Sequence, residues 1–259
     1  MDQQRTSPPS NPWTALGPRD APAIVFLHGT RFSRGQWWPQ MRRLSARYRC
    51  VAVDLPGHGE RGSEPWSFEA ARAAVSTAIA AEVPSGRAVL VGLSLGGYVA
   101  IDVADAAPEC VAGLVLAGCS AEAIGTIALP FRGLAWVLER LPRSVLRLVN
   151  VAFFRLRYRR SIAEPVIEGG FWWAGGAQAV RSVVGQHFLE RLGRLWTPVL
   201  VVNGALDPVF GPGGEFWAAT CRRGRSVVIP RAMHLSSLDR PRTFSELVAR
   251  FTDEAAGLA

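Results

Sequence analysis

The sequence contains no lysine, so every one of its 29 basic side chains is an arginine. Its positive charge is therefore carried by planar guanidinium groups, which stack on apolar surface and pair bidentately in ways an ammonium group does not. Cysteine is scarce: Cys50, Cys110, Cys119 and Cys221 show neither a Cys-x-x-Cys nor a Cys/His spacing that would hold a metal. Three of them lie in or beside apolar runs, and buried free thiols are expected. There is no His-Glu-x-x-His, no carboxylate cluster and no glycine-rich loop ending in Gly-Lys-Ser/Thr, which argues against metalloprotease and P-loop chemistry. A cofactor-free, metal-free protein is expected. No apolar run approaches the ~20 residues that span a bilayer. The polar, proline-containing residues 1–12 lack the basic start and apolar stretch of a secretory signal. These absences together lead to the expectation of a cytoplasmic protein.

What is present is the balance of a folded domain, with 49% apolar and 19% charged residues in a chain of 259. The net charge of +8 is uneven, because residues 131–160 hold eight arginines against the single acid Glu139. Such a stripe fits a solvated face, an anionic lipid surface or an acidic carrier of the substrate. Nucleic acid is not expected, because no recognised binding motif accompanies the arginines.

Short β-branched apolar runs alternate with helical patterns. Strands are predicted at 23–28, 50–54, 88–92, 111–117, 199–203 and 226–229, and helices at about 35–48, 67–82, 95–106, 214–220 and 241–254. This alternation predicts an α/β fold with a mostly parallel sheet, and the continuous Val/Leu/Ile content predicts strands buried on both faces. Between residues 120 and 196 there is no convincing strand, only helical patterns interrupted by Pro130, Pro142, Pro165 and two Gly-Gly pairs. The expected organisation is a core of residues 1–120 and 197–259 with an inserted helical cap at 121–196.

The strongest local signal is Val89-Leu90-Val91-Gly92-Leu93-Ser94-Leu95-Gly96-Gly97, a buried strand that turns through Gly-x-Ser-x-Gly into an apolar helix. A turn that tight needs positions without a β-carbon, and it lifts the serine hydroxyl off the strand end at a helix N-terminus. A serine needs a base, and His234 follows the last predicted strand. The imidazole in turn needs a carboxylate to fix its tautomer, and Asp207 stands after the preceding strand in Gly204-Ala205-Leu206-Asp207.

These motifs, with Val25-Phe26-Leu27-His28-Gly29-Thr30 and Asp54-Leu55-Pro56-Gly57-His58-Gly59, give a sequence that resembles the α/β-hydrolase family from about residue 13 to 251. The resemblance implies a Ser94, Asp207, His234 triad, in the chain order usual for this fold. It also implies backbone donors at Thr30 and Leu95 for the oxyanion, and structural roles for His28 and His58. A family variation puts the acid after the preceding core strand, where the nearest carboxylate is Glu122. Asp54 and Asp102 read as structural.

Caps of this family shape the substrate pocket. Trp136, Phe154, Trp172 and Trp173 are accordingly expected to bind an apolar, ester-like small-molecule substrate, although the same rings also suit the cap's own core. The implied reaction is hydrolysis of an ester, thioester or lactone through an acyl-serine. Carbon–carbon bond hydrolysis and cofactor-free haloperoxidase or perhydrolase chemistry use the same triad, and a non-catalytic ligand receptor uses the same fold.

Overall fold

A computed structural model describes residues 11–257; residues 1–10 of the polar N-terminal segment lie outside the described residues. Seven strands form one sheet: β1 (Trp13–Leu16), β2 (Ala23–Leu27), β3 (Arg49–Val53), β4 (Ala88–Leu93), β5 (Val111–Ala117), β6 (Val199–Gly204) and β7 (Gly224–Ile229). Their spatial order is β1-β3-β2-β4-β5-β6-β7, with β1 antiparallel to β3 and every other pair parallel. The six predicted strands are all present. The seventh, β1, is a half-buried edge strand of four residues, too short to show a period in the sequence. The other edge strand, β7, is only partly buried, so burial on both faces holds for the interior strands β2 to β6.

Because strand side chains alternate, each strand feeds two cores. Val25, Leu27, Leu90, Leu114 and Val201 pack on one face beneath α2 (Phe68–Glu82), α3 (Leu95–Ala106) and α9 (Gly214–Thr220). Ile24, Phe26, Val89, Val115 and Val202 face α1 (Trp38–Leu44) and α11 (Pro241–Ala255), which also pack on each other. Helix α1 is shorter than predicted, because residues 34–37 before it wind as a 3-10 turn.

Between β5 and β6 the chain forms α4 (Ala128–Arg140), α5 (Arg143–Arg157), α6 (Arg160–Glu168), α7 (Trp173–Val183) and α8 (Phe188–Arg194), with no strand. Two expected interruptions lie inside helices: Pro165 in α6, and Gly175-Gly176 in α7. Gly175 sits where a β-carbon would fall 2.2 Å from the Gly57 carbonyl oxygen, so the pair is a point of backbone contact with the core and not a break. Helix α8 packs on α3, through Phe188 against Tyr98 and Arg191 on Asp102, and so joins the helical layer of the core. A last short helix, α10 (Ser236–Asp239), precedes α11.

Candidate active site

Ser94, Asp207 and His234 follow the carboxyl ends of β4, β6 and β7, the edge of a parallel sheet where ligands of such folds bind. Ser94 is held at φ 55° and ψ −116°, a conformation that non-glycine residues avoid. Its backbone N–H donates to the Ala117 carbonyl at 2.7 Å, tying the turn to β5. Gly96 lets the turn seat against β2, since a β-carbon there would lie 2.1 Å from the Leu27 carbonyl oxygen. Strain of this kind persists only where its surroundings enforce it, and it concentrates at functional sites.

The His234 Nδ1–H group donates to Asp207 Oδ2 at 2.9 Å. Asp207 Oδ1 accepts from the backbone N–H groups of Val209 and Phe210, at 3.0 and 3.1 Å. Burial by itself would raise the Asp207 pKa. The hydrogen bond and charge of His234, with the two backbone donors, outweigh it and hold the carboxyl below its ordinary value. The loop carrying Asp207 is fixed by Asn203 and Ser120: Asn203 Nδ2 donates to Ser120 Oγ at 2.8 Å, and Ser120 Oγ donates to the Phe210 carbonyl at 2.6 Å. Phe210 then stacks on the His234 ring, with centroids 4.9 Å apart and planes inclined by 24°.

Ser94 and His234 together border two cavities. The first, of about 290 Å³, is lined by Thr30, Leu95 and Asp207 and by an apolar wall that includes Tyr98, Phe131, Leu134, Val180, Val183 and Phe210. The second, of about 260 Å³, adds Arg31, Phe153, Arg157, Tyr158 and Asp239. Within it Asp239 is paired with Arg157 at 2.8 Å and accepts from the Tyr158 hydroxyl at 3.0 Å. The Arg31 Nε–H donates to Asn150 Oδ1 and its guanidinium lies over Phe32, with no carboxylate partner among the described residues, and burial lowers it to about 10. Among the described residues, neither the Thr30 nor the Leu95 backbone N–H donates to a protein acceptor.

The four aromatic side chains expected over the serine line neither of these cavities, which corrects the sequence reading. Trp136 is 55% exposed, while Phe131 and Leu134 occupy the face of α4 that borders the first cavity, as the helical period separates them from position 136. Phe154 is buried against Phe32 and Phe171, and Trp173 packs with Leu138, Leu146 and Ala177 in the insertion's own small core. Trp172 borders a separate depression beside Arg34 and Asp54. The sequence reading missed Phe210 as a wall of the site. Its one signal was its position three residues after the candidate acid.

The remaining polar candidates have structural partners. His28 Nδ1–H donates to the Gly29 carbonyl at 2.9 Å and its Nε2 accepts from the Leu55 N–H at 3.1 Å, while His58 Nδ1–H donates to the Pro56 carbonyl at 2.9 Å. Asp54 is paired with Arg34, and Asp102 with Arg72 and Arg191. Glu122, the alternative acid, accepts from the Leu189 N–H at 2.9 Å. All four cysteines are free thiols, three buried and Cys110 half-buried.

The fold and the elbow define the class, and comparison with known proteins agrees. The chain belongs to the alpha/beta hydrolase family, which it matches over residues 24–247. It is similar to the pimeloyl-[acyl-carrier protein] methyl ester esterase of Nitrosomonas europaea, with 29% identity covering 87% of this chain and 93% of that protein. It is also similar to 3-oxoadipate enol-lactonase 1 of Acinetobacter baylyi, with 26% identity covering 91% and 90%. Among solved structures, a hydrolase from Pseudomonas aeruginosa PA01 superposes with a TM-score of 0.77 at 25% identity, covering 92% of each chain.

Proposed function

We propose that this protein hydrolyses a carboxylic ester, thioester or lactone with an apolar acyl group through an acyl-serine intermediate. The observation that carries the reading is the Asp207–His234 hydrogen bond at 2.9 Å beside a cavity that Ser94 shares. Esterase and lactonase activities among the relatives support it.

In this reading His234 Nε2 takes the Ser94 hydroxyl proton as Oγ attacks the carbonyl carbon. Negative charge then moves onto the carbonyl oxygen, where the Thr30 and Leu95 N–H groups receive it. Donors fixed in advance cost no reorganisation, and one of them is typically worth ~3 kcal/mol in the transition state. The imidazolium, stabilised by the Asp207 carboxylate, returns its proton to the departing alcohol or thiol. Water repeats the sequence on the acyl-serine, with His234 again as base, and releases the acid.

Residues 121–196 act as the cap of this site through α4 and α7, whose Phe131, Leu134, Val180 and Val183 form the wall that receives the acyl group. Four free thiols suit a reducing compartment and support a cytoplasmic location.

A fluorophosphonate probe should label the purified protein once, at Ser94, and Ser94→Ala should remove both the label and ester turnover while leaving the melting temperature near the parent value. Hydrolysis retained by Ser94→Ala would refute the reading, and an unlabelled parent protein would favour a binding module on the same fold.

A further inference from the structure

Helix α5 carries two apolar stripes. Leu146, Asn150 and Phe154 face inward, with Leu146 and Phe154 buried. Val145, Leu148, Val149 and Leu156 recur at helical spacing on the other side and face solvent, and the part-exposed Phe153 joins them at the edge, packed on Phe154 and Tyr158. Leu148 is 70% exposed and Leu156 89%, values that belong to a ridge and not to a groove. Helix α4 also exposes Leu129 and Trp136. Most of the exposed large apolar side chains of the described residues lie between positions 124 and 156. A monomer that exposes so concentrated an apolar surface has a use for it or aggregates through it.

The charge around this ridge is in positive excess: Arg155 and Arg157 are paired, with Glu164 and Asp239. Arg132, Arg140, Arg143, Arg147, Arg159 and Arg160 have no carboxylate partner among the described residues. The one acid of the stretch, Glu139, is held by Arg181. Apolar ridge and arginine rim together are the pattern of a helix that lies in a membrane interface. There the leucines, valines and aromatics enter the acyl region, and the guanidinium groups spread toward anionic headgroups.

The same ridge adjoins the catalytic cavities. Leu134 borders both of them and Phe153 borders the second, so the apolar surface runs to the mouths that open on Ser94.

We propose that the α4–α5 face is a peripheral membrane-docking surface that binds anionic lipid layers and sets the cavity mouths against them. An acidic carrier protein would satisfy the arginines but leave the protruding leucines without an apolar medium, whereas a lipid layer accommodates both. The proposal rests on the surface alone and stands or falls independently of the reaction at Ser94.

The test is co-sedimentation of the full chain with vesicles of phosphatidylglycerol and phosphatidylcholine, and with vesicles of phosphatidylcholine alone. The parent protein binds the anionic vesicles at low ionic strength, at least tenfold more tightly than the zwitterionic ones. High salt weakens that binding at least tenfold. The double variant Leu148→Glu/Leu156→Glu, which touches neither cavity, keeps the parent melting temperature and loses at least tenfold in partitioning. Absence of binding to anionic vesicles at low salt overturns the proposal, and so does binding that the double variant retains in full. Binding to an acidic acyl-carrier protein without binding to vesicles also overturns it and assigns the face to a protein partner.

Discussion

The imidazole of His234 rests on the backbone of Gly118, so closely that a β-carbon at position 118 would lie 2.9 Å from Nδ1 and 3.0 Å from Cε1. Phe210 stacks on the same ring. The candidate base is therefore held close to a glycine that follows β5 and to an aromatic ring from the loop after β6. Gly118→Ala should tilt the ring off Asp207, and it also places a side chain at φ 55°, which costs roughly 1 kcal/mol of backbone strain. We expect kcat for a soluble ester to fall roughly 100-fold, since an ångström of misplacement costs about that much. Crystal structures of the variant would show whether the Nδ1–Oδ2 contact has lengthened; unchanged turnover with an unchanged ring would contradict this positioning.

Asp207→Asn separates orientation from folding. The asparagine side-chain oxygen can still accept from the Val209 and Phe210 N–H groups, which keeps the loop in place. Its amide nitrogen then faces His234 Nδ1 and favours the tautomer that cannot take the serine proton. A loss of order ~10⁴ in kcat is expected, as for a triad whose histidine is held in the wrong tautomer. KM and the melting temperature should change little. A drop confined to KM would mean that Asp207 serves binding and not the base.

The core of this chain was readable because its interior strands are short, nearly continuous apolar runs rich in Val, Leu and Ile, and the elbow was readable because Gly92, Ser94 and Gly96 must sit at fixed offsets for a strand to turn so sharply. Six strands and the two loops after β6 and β7 follow from that grammar. The edge strand β1 carries too few residues for a period to show. The cavity wall was not legible for a different reason. Aromatic content marks Trp136, Phe154, Trp172 and Trp173 equally, and only the rotation of each helix about its axis decides which ring meets the serine. Helical phase places Phe131 there and turns Trp136 to solvent. Phe210 and Gly118 belong to loops, where sequence carries no period at all.

In the proposed reaction the apolar wall would set a limit on the acyl group. Phe131 is buried, borders the first cavity and meets Phe210 edge to face at 6.1 Å. Removing its ring in Phe131→Ala deepens that cavity and costs about 3 kcal/mol of stability. A pocket extended by a few methylene groups should shift preference toward longer acyl chains, with each methylene worth about 1–3 kcal/mol in a fitted apolar site. A p-nitrophenyl ester series should show the ratio of kcat/KM for long over short chains rising tenfold or more. An unchanged chain-length profile would place the acyl group in the second cavity instead.

Acid sensitivity should come first from two buried histidines with backbone partners. His28 and His58 lie with ring centroids 4.9 Å apart, wholly buried beneath the His-Gly and Pro-Gly turns. His28 donates through Nδ1 and accepts through Nε2, so a second proton would displace the Leu55 N–H from Nε2. Burial lowers His28 to about 4, and burial together with the nearby His28 lowers His58 to about 3. In the unfolded chain both take protons near pH ~6.5. Between that value and the native ones the unfolded state binds more protons, so stability falls as pH falls, by up to ~1.4 kcal/mol per pH unit for each ring. Asp207, whose carboxyl is held below its ordinary value, loses its contribution only at lower pH. Urea unfolding at about pH 7 and about pH 5 should therefore differ by roughly 4 kcal/mol. His58→Gln should lose about half as much over the same interval, whatever its starting stability, because one of the two histidines that gain a proton on unfolding is gone. An equal loss in variant and parent would show that other groups govern the acid limb.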